Sequence, residues 1–161
     1  MLHAKTPLVK TLLSIGGGAS DPTVFSKMAI RKYLDWVSPM CFDYHGKGDK
    51  LTGEHSALDD HKSNISTYFG IGSWIQAGVP SHKLVMGLPL YGKTWKLQDP
   101  EVNGIGAPAI GVRPRVDGML DHYHILDFNN KNKTTIVFDT ETMSYYSYVG
   151  DSRKGMMMSG R

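Results

Sequence analysis

The sequence predicts an α/β framework with a small α+β module appended to it, and three observations predict this. Three short apolar runs, Val9 to Ile15, Trp36 to Phe42 and Leu84 to Leu90, end in glycine or polar residues, the texture of strands buried on both faces of a parallel sheet. Helix-like or polar stretches precede the last two, as alternation of strands and helices requires. After Trp95 the texture changes to turns, a short helix and a hairpin.

Taken in order, the first run ends in Ser14-Ile15-Gly16-Gly17-Gly18, a strand opening into a glycine turn that lets the chain bend tightly or lets a ligand approach its backbone. Between the second and third runs, Ile65 to Ala77 is expected to be helical and is stopped by Gly78, Val79 and Pro80. Asp99-Pro100, Asn103-Gly104, Pro108, Gly111, Pro114 and Asp117-Gly118 punctuate the turn-rich segment. A helix is expected over Leu120 to Phe128. Strands are expected over Thr134 to Phe138 and Tyr145 to Val149, joined as a hairpin through Asp139-Thr140-Glu141-Thr142. Asp151 to Arg161, with Met156-Met157-Met158, carries no pattern and reads as an unmatched tail. The expected division is therefore residues 1–95, 96–150 and 151–161.

At 161 residues and 40% apolar content the chain can bury one core, yet it is too short for a complete eight-fold βα barrel of about 250 residues. The net charge of +3 is spread along the chain with no basic block, which argues against a nucleic-acid partner. No stretch approaches the roughly 18 apolar residues of a membrane span, and the opening residues lack the apolar core of a secretory signal. A membrane partner is not expected. Cys41 is the single cysteine, so no intrachain disulfide or cysteine-based zinc site is available, and its apolar setting reads as a small buried thiol.

Gly87-Leu88-Pro89-Leu90-Tyr91-Gly92-Lys93-Thr94 fits the phosphate-loop expression G-x-x-x-x-G-K-[ST] by letter. A phosphate cradle needs successive free N–H groups leading into a helix. Pro89 has no N–H, Leu88, Leu90 and Tyr91 are bulky, and the chain runs on to Asp99-Pro100, so a strand is the better reading. Asp121-His122-Tyr123-His124 places two imidazoles two residues apart, on different sides of a helix and without a third ligand. No metal or cofactor is expected. Asp139 and Glu141, at a hairpin turn, read as solvated carboxylates.

Four separated segments carry a more specific likeness. Val9 to Gly17, Met40-Cys41-Phe42-Asp43, and Gly87 to Trp95 resemble, in that order, three barrel strands of the family 18 glycoside hydrolases. Asp99 to Pro108, through Tyr145-Tyr146-Ser147-Tyr148-Val149-Gly150, resembles the insertion domain of the plant class V chitinases. The resemblance implies a partial (β/α)8 barrel over residues 1–95, similar to family strands three, six and seven, and an α+β chitinase insertion over 96–150. Chitin or N-acetylglucosamine oligosaccharides are the implied partner and an extracellular setting the implied location.

The resemblance also implies sugar-contact residues. Asp43 matches the acid that closes the family's M-x-Y-D strand, Met40 its floor methionine, and Tyr91 and Lys93 the cleft positions of L-Y-G-[RK]. Trp95 and Tyr44 are candidates for stacking on a pyranose, since a flat apolar ring suits the C–H face of a sugar. Phe42 replaces the family's tyrosine and deletes a hydroxyl that holds the N-acetyl group. The chain passes from Ile30 to Arg31 without the family's D-x-x-D-x-D-x-E, which supplies the general acid in a substrate-assisted hydrolysis. Its three glutamates, Glu54, Glu101 and Glu141, do not stand in such a context. A catalytically inactive, sugar-binding protein is therefore expected. The alternatives are a weakly active glycosidase using Asp43 and a non-functional gene remnant.

Overall fold

The computed structural model describes residues 12–15, 35–113 and 117–156. The glycine turn at 16–18, the Ile30–Arg31 junction and the last five residues lie outside them. Strands β1 (Leu12–Ile15) and β2 (Trp36–Pro39) pair in parallel with Leu12 opposite Trp36. Twenty residues separate them, enough for the crossover that parallel pairing demands. The two runs likened to family strands three and six are thus direct neighbours here.

The third apolar run is not a buried strand. Among the described residues, 84–90 meet β2 and the Met40 that follows it through the isolated parallel bridges Val37 to Leu84 and Met40 to Gly87, and Val85, Met86, Leu88 and Leu90 are exposed. An apolar run states that a segment is suited to burial, not that a neighbour is present to bury it. Before it stands helix α1 (Thr67–Gln76), capped by Ser66, whose Oγ accepts from the Phe69 N–H, and closed at Gly78 with φ +91°.

The expected regular strand around Tyr91 does form, as β3 (Tyr91–Leu97), so the letters of the phosphate-loop pattern run into a strand and not a helix. β3 anchors a larger antiparallel sheet. It pairs with β4 (Ala109–Gly111) and β5 (Met119–Asp121). Helix α2 (His122–Asn132) follows β5. The hairpin is β6 (Thr135–Asp139) and β7 (Ser144–Val149), as expected.

Ser152–Met156, read from the sequence as a patternless tail, is strand β8 and lies between β3 and β7. Its sequence, SRKGM, hides the strand because Arg153 and Lys154 are both buried, at 0% and 2% exposure. The Arg153 guanidinium lies 4.2 Å from the Tyr146 ring centre, and the Lys154 ammonium 3.4 Å from that of Phe128, so aromatic faces stand in for water around both cations. Trp95, Leu97, Ile125, Tyr146 and Met156 form the core of this sheet and its helix. Because β3 pairs throughout with strands of the module, a boundary at residue 95 falls inside a continuous strand.

Candidate functional site

β3 and the segment after β2 bring three candidates together. Along a strand alternate residues share a face, so Tyr91 and Lys93 project the same way from β3. Tyr91 donates its hydroxyl to Asp43 Oδ1 at 2.7 Å, and Lys93 Nζ lies 2.9 Å from the same oxygen and 5.4 Å from the Tyr91 ring centre. The Asp43 carboxylate keeps about a third of its surface exposed. Burial alone pushes it upward, but the hydrogen bonds of Lys93 and Tyr91 and the charge of Lys93 outweigh burial and hold it below the usual aspartate value. Tyr91 in turn is raised by burial and by the adjoining carboxylate.

Asp43 sits at φ +64°, a left-handed conformation uncommon for a residue with a side chain. It persists because the carboxylate is held by two donors and the next residue is pinned, with the Tyr44 N–H donating to the His55 carbonyl at 3.1 Å. Segment 52–58 is in turn hydrogen-bonded to the appended module. The Thr52 N–H donates to the Ala107 carbonyl and the Leu58 N–H to that of Thr142.

Met40 is half-buried, with its backbone bridged to Gly87. Tyr44 and Trp95 do not join the cluster. The Tyr44 hydroxyl lies 3.2 Å from Thr67 Oγ1 at the start of α1 and is raised to about 12 by burial. Trp95 is fully buried, with Arg153 over its ring at 5.7 Å. It shares the β3 face with Tyr91 and Lys93, but it is fully buried, with Arg153 over its ring and Gly155 of β8 close to it, so its ring offers no open face to a sugar. Phe42 meets Tyr91 edge-on with ring centres 6.2 Å apart.

Sequence reasoning missed His55. Its ring is fully buried and stacks on Tyr91 at 5.3 Å and 29°, and neither ring nitrogen makes a hydrogen bond among the described residues. Burial lowers it to about 4, so it is neutral at pH 7. Nothing in Thr52-Gly53-Glu54-His55 announces this, because the contact spans 36 positions of sequence. As chemistry, the site is an ionised carboxylate, presented by a phenol and an ammonium over a wall of aromatic rings. It can accept hydrogen bonds from hydroxyl or amide groups of a ligand.

Comparison with known proteins bears on the family and the fold. Class V chitinase CHIT5 of Lotus japonicus is 52% identical over 140 residues, covering 87% of this chain and 34% of the relative. Nod factor hydrolase protein 1 of Medicago truncatula is 50% identical over 124 residues, covering 77% and 32%. The chain thus spans about a third of the length of these curated relatives. Among solved structures, the family GH18 chitinase of Cycas revoluta in complex with allosamidin superposes with a TM-score of 0.81 at 34% identity, over 96% of this chain and 47% of that one. The same chitinase in complex with (GlcNAc)3 gives 0.80 over 96% and 46%. The fold is accordingly part of a chitinase barrel with its appended sheet. Residues 27–158 match the family described as glycosyl hydrolases family 18, and the chain belongs to that family.

Proposed function

We propose that this chain binds N-acetylglucosamine oligomers of the chitin type and does not hydrolyse them. The observation that carries the reading is the Asp43, Tyr91 and Lys93 cluster, a part-exposed carboxylate oriented by two donors. The sugar and inhibitor complexes of the Cycas revoluta relative support it. In this reading residues 1–95 serve as a partial barrel and 96–150 as the insertion, with β8 completing the sheet, and the protein meets its ligand outside the cell.

The missing reactivity follows from acid chemistry. A glycosidase must protonate the departing oxygen, and such a general acid is worth about 10² to 10⁴ in rate. The sequence contains no D-x-x-D-x-D-x-E. Glu101 and Glu141 are exposed, the latter paired with Lys62, and Glu54 is buried against Arg153. Asp43 is held in its ionised form and so is a poor proton donor near neutrality. Phe42 supplies no hydroxyl for an N-acetyl group.

The test is retention on chitin beads together with turnover of a chromogenic chito-oligosaccharide. Retention that Asp43→Ala abolishes, with no turnover, is the expected result. Turnover above that of a variant with Glu54, Glu101 and Glu141 all changed to Gln would sink the reading.

A further inference from the structure

Arg153 joins parts of the chain that lie far apart in sequence. Its Nη2 donates to Glu54 Oε1 and its Nε to the Asn103 carbonyl at 3.1 Å, while its guanidinium lies over Tyr146 and Trp95. Both side chains are sealed from solvent, at 0% and 1% exposure, and burial raises the Glu54 carboxyl to about 7 against the opposing charge of Arg153. Taking such a pair out of water offsets most of its mutual attraction, so apolar residues of like volume give comparable stability. Geometry is what an apolar replacement would not supply.

Glu54 is next to His55, whose ring supports Tyr91 and whose carbonyl holds the Tyr44 N–H immediately after the left-handed Asp43. A Cβ built on Gly155 would stand 3.1 Å from Glu54 Oε2, so β8 packs directly on the carboxylate from behind. We propose that Glu54 and Arg153 are positioning residues for the sugar site, acting through His55 to set Tyr91 and Asp43. This rests on the sugar-binding reading for its ligand, though not for its geometry.

The experiment compares the wild type with Glu54→Gln, Arg153→Lys and the apolar pair Glu54→Met/Arg153→Met. Three properties are measured: cooperative unfolding, affinity for chitotetraose, and the 13C ring resonance of Tyr91, assigned by its loss in Tyr91→Phe. The double variant is expected to unfold cooperatively, to bind chitotetraose about tenfold more weakly because small misplacements of contact groups are penalised heavily, and to show a shifted, broadened Tyr91 resonance. Arg153→Lys, which keeps the charge, is expected to fall between it and the wild type. An unchanged Tyr91 resonance in a folded double variant would overturn the proposal. Loss of cooperative unfolding in all three variants would overturn it too, since the pair would then hold the fold and not the site. Should the wild type itself fail to bind chitotetraose, the proposed function falls, and the Tyr91 resonance still decides this inference.

Discussion

Asp43 combines a left-handed backbone with a carboxylate held by Tyr91 and Lys93. Replacing it with Asn removes the charge that both donors address while keeping the shape, and charge-assisted hydrogen bonds contribute about 1.5 to 3 kcal/mol each. Asp43→Asn is expected to weaken chitotetraose binding by at least the lower figure in titration calorimetry, with the fold intact. His55 makes a prediction of the opposite kind. Its imidazole is lowered from 6.5 to about 4 by burial, with Lys93 also lowering it and Asp43 and the Tyr91 backbone opposing. A lowered histidine contributes stability that is present above pH 6.5 and lost as the pH falls through about 4. His55→Phe keeps a ring on Tyr91 and removes two buried nitrogens that meet no hydrogen-bond geometry among the described residues. Its thermal midpoint is expected to exceed that of the wild type at pH 5. A midpoint that falls in parallel with the wild type as pH is lowered would contradict this.

The helices respond to their ends. Ser66 caps α1, and its neighbour Thr67 anchors the Tyr44 hydroxyl, so this cap also stands behind the corner that carries Asp43. Ser66→Ala is expected to cost about 1 kcal/mol in urea unfolding, the usual loss for a vacated cap. At the far end of α2, Lys133 takes the left-handed position with φ +49°. A side chain there is strained by about 1 to 2 kcal/mol, a penalty that glycine escapes. Lys133→Gly is expected to raise the urea midpoint, and an unchanged or lower midpoint would count against the strain. The hairpin β6–β7 was legible in the sequence, since alternating β-branched and aromatic residues flank a turn-rich tetrapeptide. β8 was not, because two cations buried among aromatic rings imitate a surface segment.

At the scale of the whole molecule, the two sheets differ in how they are covered. The antiparallel sheet has a core closed by α2, whereas residues 84–90 leave Leu88 and Leu90 exposed at 56% and 74%. These positions are two apart in an extended segment beside a parallel sheet that has two strands among the described residues, an arrangement that invites association. Light scattering is expected to rise with protein concentration and to fall in the Leu88→Lys/Leu90→Lys variant. Equal scattering from both would refute the role of this edge. The segments around Asp43 are steadied from the covered side, through the hydrogen bonds of residues 52–58 to Ala107 and Thr142.

Local patterns in the chain determined much of this on their own. The short β-type runs, the helix expected over Ile65 to Ala77 with its stop at Gly78, the hairpin and the family likeness all rest on spacing and side-chain type within a few residues, where sterics and hydrogen-bonding capacity act directly. The family likeness, and not periodicity, implied Asp43, Tyr91 and Lys93 as site residues. Tertiary structure alone decided which candidates keep an exposed face. Trp95 and Tyr91 share a strand face, but burial depends on what packs over each, and here Arg153 and Gly155 of β8 lie against the first while the second stays part-exposed. It also decided that His55 stacks on Tyr91 and that Arg153 and Glu54 are paired in the interior, because contacts between residues 36 and 99 positions apart leave no periodic signal in a sequence.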